Sequence, residues 1–409
     1  MEKRRHTLMI LGAGIGQVAA IQRAREMGLR VIAISNRADD PGMTIADIPL
    51  VIDTRDGQAG VEAARKYCID GVMTLSTDVA MPTLGRIVDE LGLAGPGAGA
   101  AQVASDKIQM KKKLTAAGVP TARFREARSR QEAIRAARKL TFPLVIKPAD
   151  SSGSRGVTRV TTTTEVEPAF LHAREFSRSG AVIVEEYLEG VEFGAQALVW
   201  DRTVQAVFFH NDTVTPPPIS VPLGHSYPCK FDESVQRRCR EVLAAAIEAL
   251  GIDHSFVNAD LILTPNGPMV LEIAARLGGT CLPELTSLFT GEDIVGAAIR
   301  LALGEKVRLG PGRRQPCAAR LIDPPVSGIL RRFEVPQGFE SHPQVVAIRW
   351  DVGPGARVRA FSTGPDRIGE ILTIGESWQK AEDLCEKVRR EIVLEISRTE
   401  EPGNRETSV

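Results

Sequence analysis

"NADLILTPNGPMVLEIAAR", Asn258–Arg276, sets two apolar stretches on either side of Pro265, Asn266 and Gly267. Apolar runs joined by such turn residues read as a β-hairpin. With Asp260 opposite Glu272, the hairpin closes through the three residues Pro265-Asn266-Gly267. A three-residue loop wants a type I turn followed by a left-handed residue, and Gly267 stands at that place. Directly opposed residues have Cβ atoms ~4.5–5.5 Å apart. Two carboxylates that close repel unless a hard cation lies between them, and Mg2+ prefers one or two carboxylates plus substrate phosphates. The plainer alternative is a pair of solvated acids, so the surrounding chain has to decide.

Upstream, "PLVIKPADSSGSRGV" (Pro143–Val157) runs a strand into Lys147 and then into Ser151-Ser152-Gly153-Ser154-Arg155-Gly156. Small residues let backbone amides wrap phosphate oxygens. The run lacks G-x-x-x-x-G-K-[ST], which excludes a P-loop. "VIVEEYLEGVEFG" (Val182–Gly194) leads an apolar strand into Glu185-Glu186-Tyr187-Leu188 and on to Glu192. Backbone there could meet an adenine edge, and a carboxylate could accept from ribose hydroxyls. Ser105–Ala117 reads as a lysine-rich helix on which Lys111-Lys112-Lys113 form a solvated face. Asp232–Leu250 reads as an amphipathic helix stopped by Gly251.

The first hundred residues alternate strand and helix patterns, beginning with Thr7–Leu11, Gln17–Met27 and Arg30–Ser35. That order predicts a parallel, doubly wound sheet. The turn "LGAGIGQ" (Leu11–Gln17) has Gln17 where a dinucleotide fingerprint needs its third glycine. Ser35-Asn36-Arg37 stand where the ribose-binding acid is needed, although Arg37 could hold a 2′-phosphate. The turn therefore reads as a tight strand-to-helix connection or as a cup for part of a substrate. Ser76-Thr77-Asp78 reads as a helix N-cap, with Pro82 in the first turn.

Lys+Arg and Asp+Glu are both 51, and a net charge of zero argues against nucleic acid or an anionic membrane as partner. No apolar run approaches the ~20 residues needed to span a bilayer. The six cysteines form no C-x-x-C pair, which fits reduced thiols and a cytoplasmic setting.

Lys107, Lys147, the Gly/Ser loop, the Glu-Glu-Tyr-Leu run, Asp260, Glu272 and Arg276 follow one another in that order. In this order the chain resembles the ATP-grasp superfamily, and within it the carboxylate–amine ligases. The resemblance implies an α/β fold with an N-terminal doubly wound parallel-sheet (pre-ATP-grasp) domain over 1–100. A two-lobed α+β ATP-grasp domain follows over 101–308, with a small lobe at about 119–190. A C-terminal α+β lid domain over 309–397 and a disordered tail over 398–409 complete it.

It further implies ATP and Mg2+ (or Mn2+) as cofactors. Lys107 and Lys147 would be phosphate-binding lysines, and Ser151, Ser152, Gly153, Ser154 and Gly156 the phosphate loop. Glu185, Glu186, Leu188 and Ile262 would lie at the adenine and Glu192 at the ribose. Asp260 and Glu272 would be the metal ligands and Arg276 the holder of an acyl phosphate, with Lys107, Lys147 and Arg276 as the catalytic cations. The implied reaction joins a small carboxylate to an amine through an acyl phosphate, releasing ADP and phosphate, in a homodimer.

Ala274 stands where the family often has a metal-binding Asn. After Arg276 the run Leu277-Gly278-Gly279 departs from the His-Asn-Ser of carboxyaminoimidazole-type synthetases and is similar to L-amino acid ligases. So are "GHSYPCKF" (Gly224–Phe231), "PELTSLFTGEDIV" (Pro283–Val295) and "DRIGEILTIGES" (Asp366–Ser377). Gly278 and Gly279 would admit the amine, His225 would meet a substrate carboxylate, and Cys281 would pack. Three rival readings stand beside this one. They are a bicarbonate-using carbamoyl-phosphate-synthase- or carboxylase-like enzyme, an NAD(P) oxidoreductase, and a catalytically silent ATP-binding protein.

Overall fold

The computed structural model of the chain describes residues 5–151, 153–215, 221–310 and 312–397. Ser152 of the Gly/Ser loop and the tail 398–409 lie outside them. The N-terminal strands β1 (Thr7–Leu11), β2 (Arg30–Ser35), β3 (Ile48–Val51) and β4 (Gly71–Met73) form a parallel sheet in the order β3-β2-β1-β4. Both faces are covered. Met9 and Leu11 pack with Val61, Ala64, Leu84 and Ile87, while Leu8 and Ile10 pack with Ala20, Ile21 and Ala24. The second cluster also takes Ile294, Ala297 and Leu301, from the helix Ile294–Ala302 far along the chain. The first domain is therefore fused to the next through apolar burial.

In such sheets ligands gather at the strand carboxyl ends where the order reverses, here between β1 and β4. The loops leaving these strands carry Gly12–Gly16 and Thr74–Asp78. In the first, Gly12 takes φ +101, and Gln17 folds back beneath it to donate to the carbonyl of Leu75. The side chain that replaces the third fingerprint glycine thus fills the turn. A Cβ on Gly16 would stand 3.1 Å from that of Ser76, so the glycine turn makes room for the neighbouring loop.

A small antiparallel sheet follows, built from β5 (Phe124–Ala127), β6 (Leu144–Pro148), β7 (Thr158–Val160) and β8 (Val182–Glu186) in the order β5-β8-β6-β7. Leu144, Ile146, Val182 and Val184 pack against Ala133, Ala137, Phe170 and Ala173 of its helices.

Strands β9 (Val191–Trp200), β10 (Thr203–Val214), β11 (Pro222–Tyr227), β12 (Ser255–Thr264) and β13 (Gly267–Ala274) make the large sheet. It continues into β14 (Cys317–Ile322), β18 (Gly369–Ile374) and β16 (Val345–Trp350), giving the order β13-β12-β9-β10-β11-β14-β18-β16. The C-terminal segment thus extends this sheet. Its remaining strands, β15 (Gly328–Glu334), β17 (Arg357–Val358) and β19 (Val393–Ser397), form a separate three-stranded sheet. On one face of the large sheet Phe193, Ala195, Ala197, Val257, Ala259 and Leu261 pack on the helix Glu233–Leu250. Strand periodicity then turns Glu192, Gly194, Gln196, Asn258 and Asp260 to the other face.

Among the described residues no helix is long and apolar enough to cross a membrane, and no disulfide is present.

Candidate active site

Asp260 pairs directly with Glu272. The hairpin differs from its expected form at the turn: Thr264 pairs with Gly267, so the loop has two residues, Pro265 and Asn266. Carried inward, that register would set Asp260 against Leu271. A β-bulge where Asp260 gives way to Leu261 shifts the pairing by one and brings Glu272 into place. An irregularity that re-aims a side chain beside a functional centre is a common use of bulges.

Lys107 opens the helix Lys107–Ala116, whose N-cap Asp106 accepts from the backbone of Ile108 at 2.9 Å and Gln109 at 3.1 Å. A cation at a helix N-terminus opposes the helix dipole, and here two acceptors offset that cost. Lys107 Nζ donates to Glu272 Oε1 and to the Ser151 carbonyl, both at 2.7 Å. One turn later on the same face, Lys111 is almost wholly buried and lies 2.8 Å from Glu185 Oε2. The expectation that Lys111-Lys112-Lys113 form a solvated face therefore fails at Lys111. The spacing of four from Lys107 was the available signal. Lys147, on β6, pairs with the other oxygen of Glu185.

Glu185 is thus a buried carboxylate between two ammonium groups. Burial alone would raise its carboxyl, but Lys111 and Lys147 overcome this and hold it low, at about 2. Burial pulls Lys111 down. For Lys147 burial acts the same way but is outweighed by Glu185, Glu272 and Asp260, which keep that ammonium charged. The cluster carries a surplus cation toward the cleft, suited to a phosphate.

Asp260 stands apart. Water reaches it, yet the surrounding protein and then the charges of Glu272 and Asp212 push its carboxyl up to about 7. Facing acids that resist joint ionisation fit a divalent cation, and Asp260 with Glu272 would hold it. Asn258, which pairs with Ala274, donates from Nδ2 to Asp260 Oδ1 at 3.2 Å. An amide absent at position 274 is therefore present one strand away.

In the metal-free protein the raised folded value favours the protonated acid. Asp260 therefore weakens stability progressively as pH rises from about 4 to about 7. With EDTA present, Asp260→Asn is expected to raise the melting temperature at pH 8 by about 2 °C, the effect being discounted for solvent screening. At pH 4 it is expected to change nothing. Equal effects at both values in differential scanning calorimetry would contradict this account.

The remaining expected residues are distributed as follows. The Ser151–Gly156 loop has left-handed backbone at Gly153 (φ +71), Ser154 (φ +58) and Gly156 (φ +72). Glu186 turns its carboxylate back to the Thr141 amide at 2.9 Å and to Arg123, so its backbone is what remains for a ligand. Leu188 follows, half-buried. Glu192 pairs with Ile262, which is buried beneath Gly190; burial and Asp212 raise the Glu192 carboxyl.

Arg276 makes a bidentate pair with Asp78, Nε and Nη2 each donating at 2.8 Å, across 198 residues. The expected capping role of Ser76-Thr77-Asp78 is corrected by this contact. The helix begins at Met81 behind Ala80, and no side chain caps it. Ser76, held at φ +59, donates to the Gly278 carbonyl at 3.3 Å. Gly278 N–H donates to Gln196 Oε1 at 2.9 Å, and a Cβ there would meet Asn258 Oδ1 at 2.6 Å. A Cβ on Gly279 would come within 3.4 Å of Ser76. Gly278 thus lets its loop lie close against Gln196 and Asn258.

His225, expected to meet a substrate carboxylate, is instead buried and turns Nδ1 onto Asp212 Oδ1 at 2.6 Å. His210 and Asp212 had no motif to announce them. The Cys281 thiol is buried and donates to Glu370 Oε2 at 2.9 Å.

The chain is similar to known proteins over nearly its whole length. Residues 104–280 match the model of the ATP-grasp domain, and residues 320–397 that of L-amino acid ligase C-terminal domain 2. The chain is 26% identical over 408 residues to the formate-dependent phosphoribosylglycinamide formyltransferase of Ignicoccus hospitalis, covering 93% of this chain and 94% of the other. It superposes on a phosphoribosylglycinamide synthetase from Anaerococcus prevotii with a TM-score of 0.79 at 27% identity, covering 96% and 100% of the two chains. The L-amino acid ligase from Bacillus licheniformis gives a TM-score of 0.83 at 21% identity, covering 97% and 100%. At that identity the likeness shows the fold alone.

Proposed function

The chain belongs to the ATP-grasp superfamily and is an ATP-dependent ligase forming C–N bonds, and from that premise we propose that it joins the carboxylate of an amino acid to an amine. The single observation that carries this reading is that Asp260 and Glu272 face each other across the hairpin, with Lys107 bonded to Glu272 and with Lys147 and Arg276 in electrostatic reach of the pair. The match of residues 320–397 supports an amino acid as the acid.

Phosphoryl transfer asks a protein for position and charge neutralisation rather than for a nucleophile. Asp260 and Glu272, with Asn258 beside them, would hold Mg2+ or Mn2+, which when bound neutralises phosphate charge. Lys107 and Lys147 bring cations to the same place from two elements. Glu186 backbone and Leu188 would meet the adenine, and Glu192 the ribose. The Ser151–Gly156 loop offers amides to the phosphates and would exclude water from a hydrolysable acyl phosphate.

Arg276, whose planar fork suits a carboxylate or an acyl phosphate, is held ready by Asp78. The amine would enter over Gly278 and Gly279, attack the acyl carbon and displace phosphate. A homodimer is the assembly proposed.

An ADP-release screen over pairs of amino acids and amines, with mass detection of the amide, tests this function. ADP release that requires both partners supports it. Tight ATP binding with no ADP release over the whole panel would make the chain a nucleotide-binding protein without ligase activity. Asn258→Ala is expected to raise the Mg2+ concentration for half-maximal activity about tenfold, the scale of one lost ligand or outer-shell partner. An unchanged Mg2+ titration would remove Asn258 from the metal site.

A further inference from the structure

Beyond the ATP and metal residues, the cleft face of the large sheet carries a second polar cluster. His210 Nδ1 lies 2.8 Å from Asp212 Oδ1, and His225 Nδ1 lies 2.6 Å from the same oxygen. A ring nitrogen at that distance from a carboxylate carries the proton, so both imidazoles donate to Asp212. Both rings are buried, and among the described residues neither Nε2 has a hydrogen-bond partner. Two histidines are thus used to orient one carboxylate.

Asp212 itself remains partly open, its side chain 16% exposed. Burial would raise its carboxyl, but His210 and His225 hold it well below the ordinary range, so it stays charged.

Its place is set by register. Asp260 pairs with Gly194, Gly194 with His210, and Asp212 lies two residues further along β10. Paired residues share a face, as do residues two apart, so Asp212 and Asp260 look into the same cleft. Two strand spacings and two residues of rise separate their Cα atoms by roughly 12 Å. With both side chains reaching inward, the gap is on the order of one small amino acid. The row also explains Gly194: a Cβ there would lie 2.2 Å from His210 Cε1, so only glycine lets the ring lie flat beside the metal acids.

Resting on the ligase reading, we propose that Asp212, buttressed by His210 and His225, is a cation subsite. It anchors the ammonium group of the amino acid whose carboxylate is activated at Asp260 and Glu272. A negative charge, held by two Nδ1–H donors and open on its remaining side, selects a cation. His225 spends its Nδ1–H on Asp212 and is buried, which is why it is assigned here to positioning. A divalent ion is the other cation such chemistry could take, and the test separates the two.

Calorimetric binding is measured in the presence of Mg2+ and ADP for alanine, leucine and phenylalanine. It is repeated for their desamino counterparts propionate, 4-methylpentanoate and 3-phenylpropionate. The wild type is expected to prefer at least one amino acid over its counterpart by about 10- to 100-fold, the worth of a charge-assisted contact. Asp212→Asn keeps both acceptor positions for the histidines. It is expected to lose that preference by weakening the amino acid alone, with ADP affinity retained. His225→Ala is expected to reduce the preference partially.

Equal binding of the two acid classes by the wild type, no binding of either, or a preference that survives in Asp212→Asn would overturn the assignment. So would a Co2+ absorption band in Mg2+-saturated wild type that disappears in Asp212→Asn, which would give the subsite to a metal. These readouts need no turnover. Failure of the ligase function shows separately, as the absence of ADP release.

Discussion

Glu185→Ala is expected to destabilise the protein by about 3–5 kcal/mol, the scale of breaking a buried ion pair by removing one partner. It is also expected to abolish measurable ATP binding. The carboxylate is 4% exposed and lies between Lys111 and Lys147, themselves 1% and 9% exposed. Without it, two ammonium groups face each other in a low-dielectric interior, and Lys147 loses the partner that keeps it charged and aimed at the cleft. Lys111 is further tied through Thr121 to the Val270 carbonyl of the hairpin, so the damage spreads toward Glu272. Glu185→Gln keeps the shape and one acceptor and should fall between the two. Denaturant melts and nucleotide titration measure both effects. A variant that melts with the wild type and still binds ATP would show that the lysines need no shared anion.

The second large effect is expected at Arg276. Arg276→Ala should lower the rate of ADP release by about 100- to 1,000-fold, the loss seen when one preorganised donor to a developing charge is removed. ADP affinity should remain near the wild-type value. In the structure Nε and Nη2 of this guanidinium are engaged by Asp78 and one Nη1 hydrogen by the Leu277 carbonyl, which leaves two N–H groups for a ligand. Its direction is therefore set before a ligand arrives. Asp78→Asn leaves the charge but loosens that hold, and a loss of about tenfold is expected. Amide synthesis retained at the wild-type rate in Arg276→Ala would take Arg276 out of the reaction.

How far the chain could be read without its fold depended on the range of each contact. Asp260 and Glu272 belong to one hairpin, so turn chemistry and a period of two were enough to bring them together. Even there the local detail was different, because the closing loop is shorter than expected and a bulge restores the pairing. Lys107 and Lys147 were singled out through the resemblance carried by their short stretches, and the structure pairs them with Glu272 and Glu185. Lys111 was not, because a lysine triplet on a helix looks the same whether one member faces water or a buried glutamate. Asp78 was misread for a related reason: a Ser-Thr-Asp run before a helix has a local explanation, and its true partner is 198 residues away. His210 and Asp212 matched no motif, since the cluster exists only where β10 and β11 are in register.

What the amino-acid order determined alone was therefore the alternating elements of the first domain and the one hairpin pairing of Asp260 with Glu272. Backbone dihedral preferences and apolar periodicity act over a turn or a strand, and they leave a legible trace. Which distant loops meet was decided by the tertiary structure, through sheet order and the burial of Ile294–Ala302 against the first domain. That packing sets Asp78 against Arg276 and aligns Asp212 with Asp260 along one face, because side chains from separate strands gain a common direction only after the sheet has formed.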